Sequence, residues 1–104
     1  MIARTWRGET AARDADAYVS YLETTGLPGY RTTPGNRGAY LLRRDRDEST
    51  EFVTLSFWDD LASIEAFAGK DIEVAVLYPE DDRFLTARDP TAFHYVVASP
   101  QPGV

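Results

Sequence analysis

The stretch Glu51–Gly69 limits what this chain can fold into more than any other. Phe52–Trp58 alternates and is rich in aromatic and β-branched residues, which predicts a strand ending on a tryptophan. Asp59 and Asp60 follow at once, and either carboxylate can cap a helix by accepting from its unpaired amides at the positive end of its dipole. Leu61, Ile64, Phe67 and Ala68 then recur at helical spacing until Gly69 interrupts the run. A strand feeding straight into a helix with one apolar stripe calls for a sheet with helices laid against it. It also sets an aromatic ring at a strand end, a place where ligand pockets can open.

The rest of the chain completes that plan. Ile2–Arg7 alternates, with Ile2, Arg4 and Trp6 on one face, and predicts a first strand ended by Gly8. Thr10 is placed to cap a helix from about Ala11, whose stripe is Ala15, Tyr18, Val19 and Leu22 and whose C-terminal cap is Gly26. Pro28, Gly29, Pro34, Gly35 and Gly38 make Leu27–Gly38 a connecting loop. Ala39–Arg44 predicts a second strand, and the mixed charges from Arg43 to Glu48 a solvated hairpin tip. Asp71 is expected to restart a short helix that Pro79 stops, Glu80–Asp82 to form an acidic turn with Phe84 and Leu85 packed under it, and Phe93–Ala98 to be the last strand.

The order strand, helix, strand, strand, helix, strand is the ferredoxin-like split βαβ arrangement, an α+β fold with an antiparallel sheet and both helices on one face. Residues 1–98 are expected to form one domain and 99–104 a frayed tail. The uncovered face should be polar if it met water. Yet Val53, Leu55 and Phe57 on the third strand oppose Phe52, Thr54, Ser56 and Trp58, and on the last strand Phe93, Tyr95 and Val97 oppose His94, Val96 and Ala98. Both faces carry large apolar groups, so a second cover is expected, most economically the same sheet of another copy in a homodimer.

Composition removes several functions. There is no cysteine and one histidine, His94, so thiolate and His-cluster metal sites within one chain are excluded and no metal is expected. A net charge of −6 disfavours nucleic acid. No apolar run reaches the roughly 20 residues needed to span a bilayer, and the N-terminus lacks the apolar core of a signal peptide, so a cytoplasmic protein without a membrane partner is expected.

The element order, Pro28-Gly29 after the first helix, and Phe57-Trp58 leading into Ile64 and Phe67 resemble the antibiotic biosynthesis monooxygenase superfamily over about Ile2 to Val97. The resemblance implies a dimeric α+β barrel. It also implies, for one branch, a cofactor-independent monooxygenase that oxidises small phenolic or polycyclic aromatic metabolites to quinones. Other members have no known activity, and a non-catalytic or stress-response dimer that holds a small hydrophobic molecule is the alternative. Haem-degrading members share a tryptophan at the position of Trp58, but they use an asparagine on the first strand and a histidine on the second helix. Here the first strand offers Arg4 and Trp6, and Asp60–Tyr78 contains no histidine.

Five residues are candidates for a site. Trp58 is a flat pocket wall or a core tryptophan. Arg4 shares a strand face with Trp6; pointed inward, it would be a costly charge unless it met an acid or an anionic oxygen of a ligand, such as an enolate or phenolate. His94 is the one group that titrates near neutrality unaided, and is either a base for a phenolic proton or a hydrogen-bonded structural residue. Tyr40 is a possible ligand donor or a packing residue. In the catalytic reading Arg4 and His94 do the chemistry while Trp6, Tyr40 and Trp58 bind substrate. Asn36 reads as a turn residue and Glu80–Asp82 as solvated acids.

Overall fold

The computed structural model describes residues 1–102; the end of the expected tail, residues 103–104, lies outside the described residues. The elements run β1 (Ile2–Ala11), a 3-10 turn (Ala12–Asp14), α1 (Ala15–Thr24), α2 (Gly26–Thr32), β2 (Asn36–Asp45), β3 (Ser49–Trp58), α3 (Leu61–Ala68), α4 (Asp81–Phe84), β4 (Leu85–Arg88) and β5 (Phe93–Val96). All strand pairs are antiparallel, in the order β2-β3-β1-β4, with β5 also on β1. The helices lie on one face, which is the expected ferredoxin-like α+β sheet.

Strict alternation along β1 and β3 decides which residues meet the helices. Arg4, Trp6, Gly8 and Thr10 are buried on β1, and Thr50, Phe52, Thr54, Ser56 and Trp58 on β3. Two clusters fill the space beneath the helices. Leu27, Tyr30, Ala39, Trp58 and Ile64 form one, and Ala15, Tyr18, Leu22 and Phe52 the other. The cap of α3 is Asp60, which accepts from the Ser63 amide at 2.9 Å while Ser63 Oγ faces the Asp60 amide, a reciprocal capping box.

Several expected boundaries are corrected. Gly8 does not end β1. A Cβ there would lie 2.7 Å from Trp6 Cη2, so the glycine makes room for an indole while the strand runs on. Thr10 consequently sits buried in the strand and caps nothing. Gly26 opens α2 instead of closing α1, and much of the expected loop is helical. Pro28 is tolerated because the first turn of a helix needs no amide from it. No helix forms at Asp71: Gly69–Glu80 carries no regular element beyond an isolated bridge from Val74 to Thr91. Leu61 is exposed, whereas Ile64 is fully buried. The expected last strand, Phe93–Ala98, spans Phe93–Val96, and an unexpected strand, Leu85–Arg88, precedes it on the same edge of β1; Pro90, which has no amide for the ladder, lies between them, and Asp89 N–H to the Arg7 carbonyl, 2.9 Å, keeps the connection in register.

The opposite face has no helix over it. Its rows follow from the register: Tyr40, Leu55, Thr5 and Phe93 in one, Gly38, Phe57, Ala3 and Tyr95 in the next, Leu42, Val53 and Arg7 in a third. Tyr40, Leu42, Phe93 and Tyr95 are all exposed. The hairpin end of this face is ionic, with Arg7 paired to Glu9 and Glu51, and Arg44 and Arg46 beside the same acids.

Candidate functional site

Antiparallel pairing of β1 with β5 sets Arg4 directly opposite His94, both on the helix side of the sheet. Arg4 is 2% exposed. Its Nη1 lies 2.9 Å from His94 Nε2 and donates to the Ile72 carbonyl, and its Nη2 donates to the Val74 carbonyl at 3.3 Å. Its Nε has no partner, and no carboxylate pairs with it among the described residues. The Phe67 ring lies under the guanidinium, 5.9 Å from Cζ to centroid.

A guanidinium only donates, so His94 Nε2 accepts and Nδ1 carries the proton. Burial, and then the neighbouring Arg4 charge, hold the His94 pKa below its ordinary value, which leaves a neutral imidazole at pH 7. Burial also lowers the Arg4 pKa, partly opposed by the Tyr30 hydroxyl. Arginine stays charged in any such setting. The result is a buried cation beside a neutral base.

Aromatic rings wall this pair. Tyr30 stacks on Phe67 at 4.3 Å, and Trp58 lies 5.5 Å from Phe67 and 6.3 Å from Tyr30. Trp58 is wholly buried and donates its Nε1 to Ser56 Oγ at 2.9 Å. Tyr30 donates to Thr54 Oγ1 at 3.2 Å, and its pKa is raised chiefly by burial. Trp6 donates to the Asp89 carbonyl at 2.8 Å, which fixes its indole against the broken strand edge. Beyond it lies a cavity of about 20 Å³ bounded by Trp6, Tyr18, Tyr30, Thr54, Tyr78 and Asp81. That volume suits a single water. Tyr18 donates to buried Asp81 at 3.1 Å, and burial, with that carboxylate, drives its pKa far up.

Arg4, His94, Trp6 and Trp58 therefore share one layer. Tyr40 does not belong to it. One residue of register from buried Ala39, it points to the open face, 54% exposed and edge-on to Phe57 at 6.4 Å, where it lines a groove of about 560 Å³ with Met1, Arg37, Phe57 and Val97. Asn36 accepts from the Gly38 amide at 3.0 Å, a local turn contact.

Three contributors escape a reading of the sequence. Tyr30 hides in a stretch that looks like a loop, although Leu27 and Tyr30 at helical spacing, with Pro28 in a first turn, carried the signal. Asp81 looks like one of three solvated acids, but it is 2% exposed and also accepts from the Tyr78 amide at 2.5 Å. The Ile72 and Val74 carbonyls are backbone groups that no residue type announces.

The layer does not fit a haem iron. His94 is the sole histidine, its Nε2 is turned to a guanidinium, and α3 and the segment after it contain no histidine. Among the described residues no three His, Asp or Glu side chains are grouped for a metal, and no helix is long and apolar enough to cross a membrane.

The fold is shared with solved structures. A putative antibiotic biosynthesis monooxygenase from Bacillus cereus superposes with a TM-score of 0.68 at 13% identity, covering 96% of this chain and 95% of that one. A variant of MhuD with two manganese protoporphyrin IX molecules bound per active site gives 0.62 at 16% identity, over 99% and 100% of the two chains. The NE2512 protein of unknown function from Nitrosomonas europaea gives 0.60 at 17% identity, over 99% and 95%. No curated protein matches the sequence. Residues 5–72, well over half of the chain, match the profile of antibiotic biosynthesis monooxygenases, and the chain belongs to that family.

Proposed function

We propose that this protein is a homodimeric, cofactor-independent monooxygenase acting on a small phenolic or polycyclic aromatic molecule held between the helices and the sheet. One observation carries the reading: a fully buried Arg4 with no carboxylate partner, 2.9 Å from a neutral His94, inside a wall of aromatic rings. An unpaired buried charge is expensive to keep, and an anionic ligand oxygen would balance it. In the proposed reaction His94 Nε2, released from Arg4, takes a proton from the substrate. The electron-rich anion then reacts with dioxygen. One oxygen atom enters a ring carbon as a carbonyl and the other leaves as water, so a CH2 group and O2 give C=O and H2O. Arg4 offsets the negative charge as it develops, and the closed aromatic layer keeps bulk water out.

The open apolar rows support the dimer. Tyr40, Leu42, Phe93 and Tyr95 lie exposed around Val53, Leu55 and Phe57, a patch that a second copy about a twofold axis would bury. Tyr40 in this reading serves the interface and not the pocket.

A second reading is favoured by one specific fact. The His94 lone pair is already taken by Arg4, as suits a site that holds a ligand without turning it over. Oxygen uptake with a hydroxyanthrone separates the two. Uptake stoichiometric with quinone formation, in metal-free buffer, supports the enzyme; binding without uptake supports the second reading.

A further inference from the structure

The guanidinium of Arg4 is used unevenly. Nη1 serves both His94 and the Ile72 carbonyl, Nη2 carries a single long bond of 3.3 Å to the Val74 carbonyl, and Nε carries none. The Nε–Nη2 side is the edge that matches the two oxygens of a carboxylate through parallel N–H bonds. Among the described residues no carboxylate pairs with it: its neighbours are two neutral carbonyls, a neutral imidazole, the Tyr30 hydroxyl and the Phe67 ring, and Glu73, between the two carbonyl residues, acts on His94 without an ion pair to Arg4.

The carbonyls belong to the one long stretch that lies on this layer without regular structure. Gly69–Glu80 is held by Arg4 and by short backbone links, Ala92 N–H to the Glu73 carbonyl at 2.7 Å and Ala75 N–H to the Pro90 carbonyl at 3.2 Å. Val74 and Leu77 on it are exposed. The segment is thus a cover fastened at its middle by the same side chain that lacks an anion.

We infer that Arg4 is the receptor for a planar aromatic acid: the ligand's carboxylate takes the Nε–Nη2 edge in place of the Val74 carbonyl, so that ligand binding and release of the Ile72–Val74 cover are one event. This rests on the aromatic site proposed above and adds the class of molecule it accepts. The two edges of the guanidinium then have separate tasks. The Nε–Nη2 edge anchors the acid. Nη1 stays beside His94, where a ring hydroxyl next to the carboxylate would give up its proton and where the resulting phenolate would be stabilised.

Salicylate and salicylamide test this, because they share shape and ring hydroxyl and differ in the carboxylate. Titrated into the wild-type protein by calorimetry, salicylate should bind at least about tenfold more tightly, as a charge-assisted pair in place of a neutral one implies. Arg4→Met should erase that preference, and Arg4→Lys, a point charge without a fork, should keep only part of it. On wild-type protein alone, salicylate should alter amide hydrogen exchange at residues 72–75, which keeps the test valid even if a variant misfolds. Equal binding of both probes to the wild type overturns the acid receptor while leaving an aromatic site intact. Preference retained in Arg4→Met overturns the assignment to Arg4. If neither probe binds, the inference and the aromatic-site reading fall together.

Discussion

Arg4 and His94 are cross-strand neighbours whose side chains meet 2.9 Å apart, a permanent cation against the only histidine. Burial is the main reason the imidazole is neutral, and the contact adds to it: charging it would lose hydration and bring two positive groups together in a half-dry layer.

Stability should therefore depend on pH through His94. Its folded pKa is depressed below 6.5, so the unfolded chain binds the proton more readily, and stability falls as pH drops from about 6.5 toward the lower folded value. The carboxylates with depressed pKa values, Glu51, Asp45 and Asp60, act in a separate window: their contributions are present above the ordinary carboxylate range and are lost as pH falls further. Urea midpoints of wild type and His94→Gln, taken across mildly acid pH, should differ in slope only in the upper window. Equal slopes there would remove the argument for a depressed histidine.

Arg4 should be worth little to the fold. Arg4→Met loses the donations to the Ile72 and Val74 carbonyls but also removes a buried charge that has no acid partner, so the two effects offset and the unfolding free energy should change by no more than about 1 kcal/mol. His94→Ala, which strips the guanidinium of its side-chain acceptor, should destabilise by about 1–2 kcal/mol. Chemical denaturation gives the order directly, and the reverse order would mark Arg4 as a structural residue.

The open sheet face should hold two copies together. Leu55→Glu puts a charge in the row Tyr40, Leu55, Thr5 and Phe93, and should turn a dimer into a monomer by light scattering after gel filtration. Leu61→Glu, an equally drastic change at an exposed leucine on the helix side, should leave the mass unchanged. A wild-type monomer at micromolar concentration contradicts the dimer outright.

Within α3 the buried stripe is narrower than its apolar spacing suggests. Ile64→Ala should cost about 2–5 kcal/mol, because it empties fully buried volume between Trp58 and Tyr30. Leu61→Ala should fall within about 0.5 kcal/mol of wild type.

The sheet was legible because Phe52–Trp58 is rich in aromatic and β-branched residues and runs straight into a capping aspartate, and the structure extends its alternation of burial over all ten residues of β3. Alternation along β1 placed Arg4 with Trp6, and pairing set Arg4 opposite His94. What escaped depended on partners distant in sequence. Gly8 resembles a strand breaker until the Trp6 ring is seen above it. Gly26 and Pro28 resemble a loop, yet the core burial of Leu27 and Tyr30, one helical turn apart, makes a helix there worthwhile. Ile72, Val74 and Leu77 have the apolar look of a helix, but their segment is pinned through its carbonyls to Arg4 and through its amides to the chain at Pro90, which a helix would not allow. Tyr40 is set on the face opposite Arg4, Trp6, Trp58 and His94 by one residue of register, which aromatic type alone does not reveal.

The most direct measurement is mass spectrometry of the product formed from a hydroxyanthrone under isotopically labelled dioxygen, in metal-free buffer, with wild type, Arg4→Met and His94→Ala each verified as folded. The account predicts a quinone carrying one labelled oxygen atom from the wild type and little above the background rate from either variant. A wild type that forms no labelled product, or variants that match it, would contradict a working pair at Arg4 and His94.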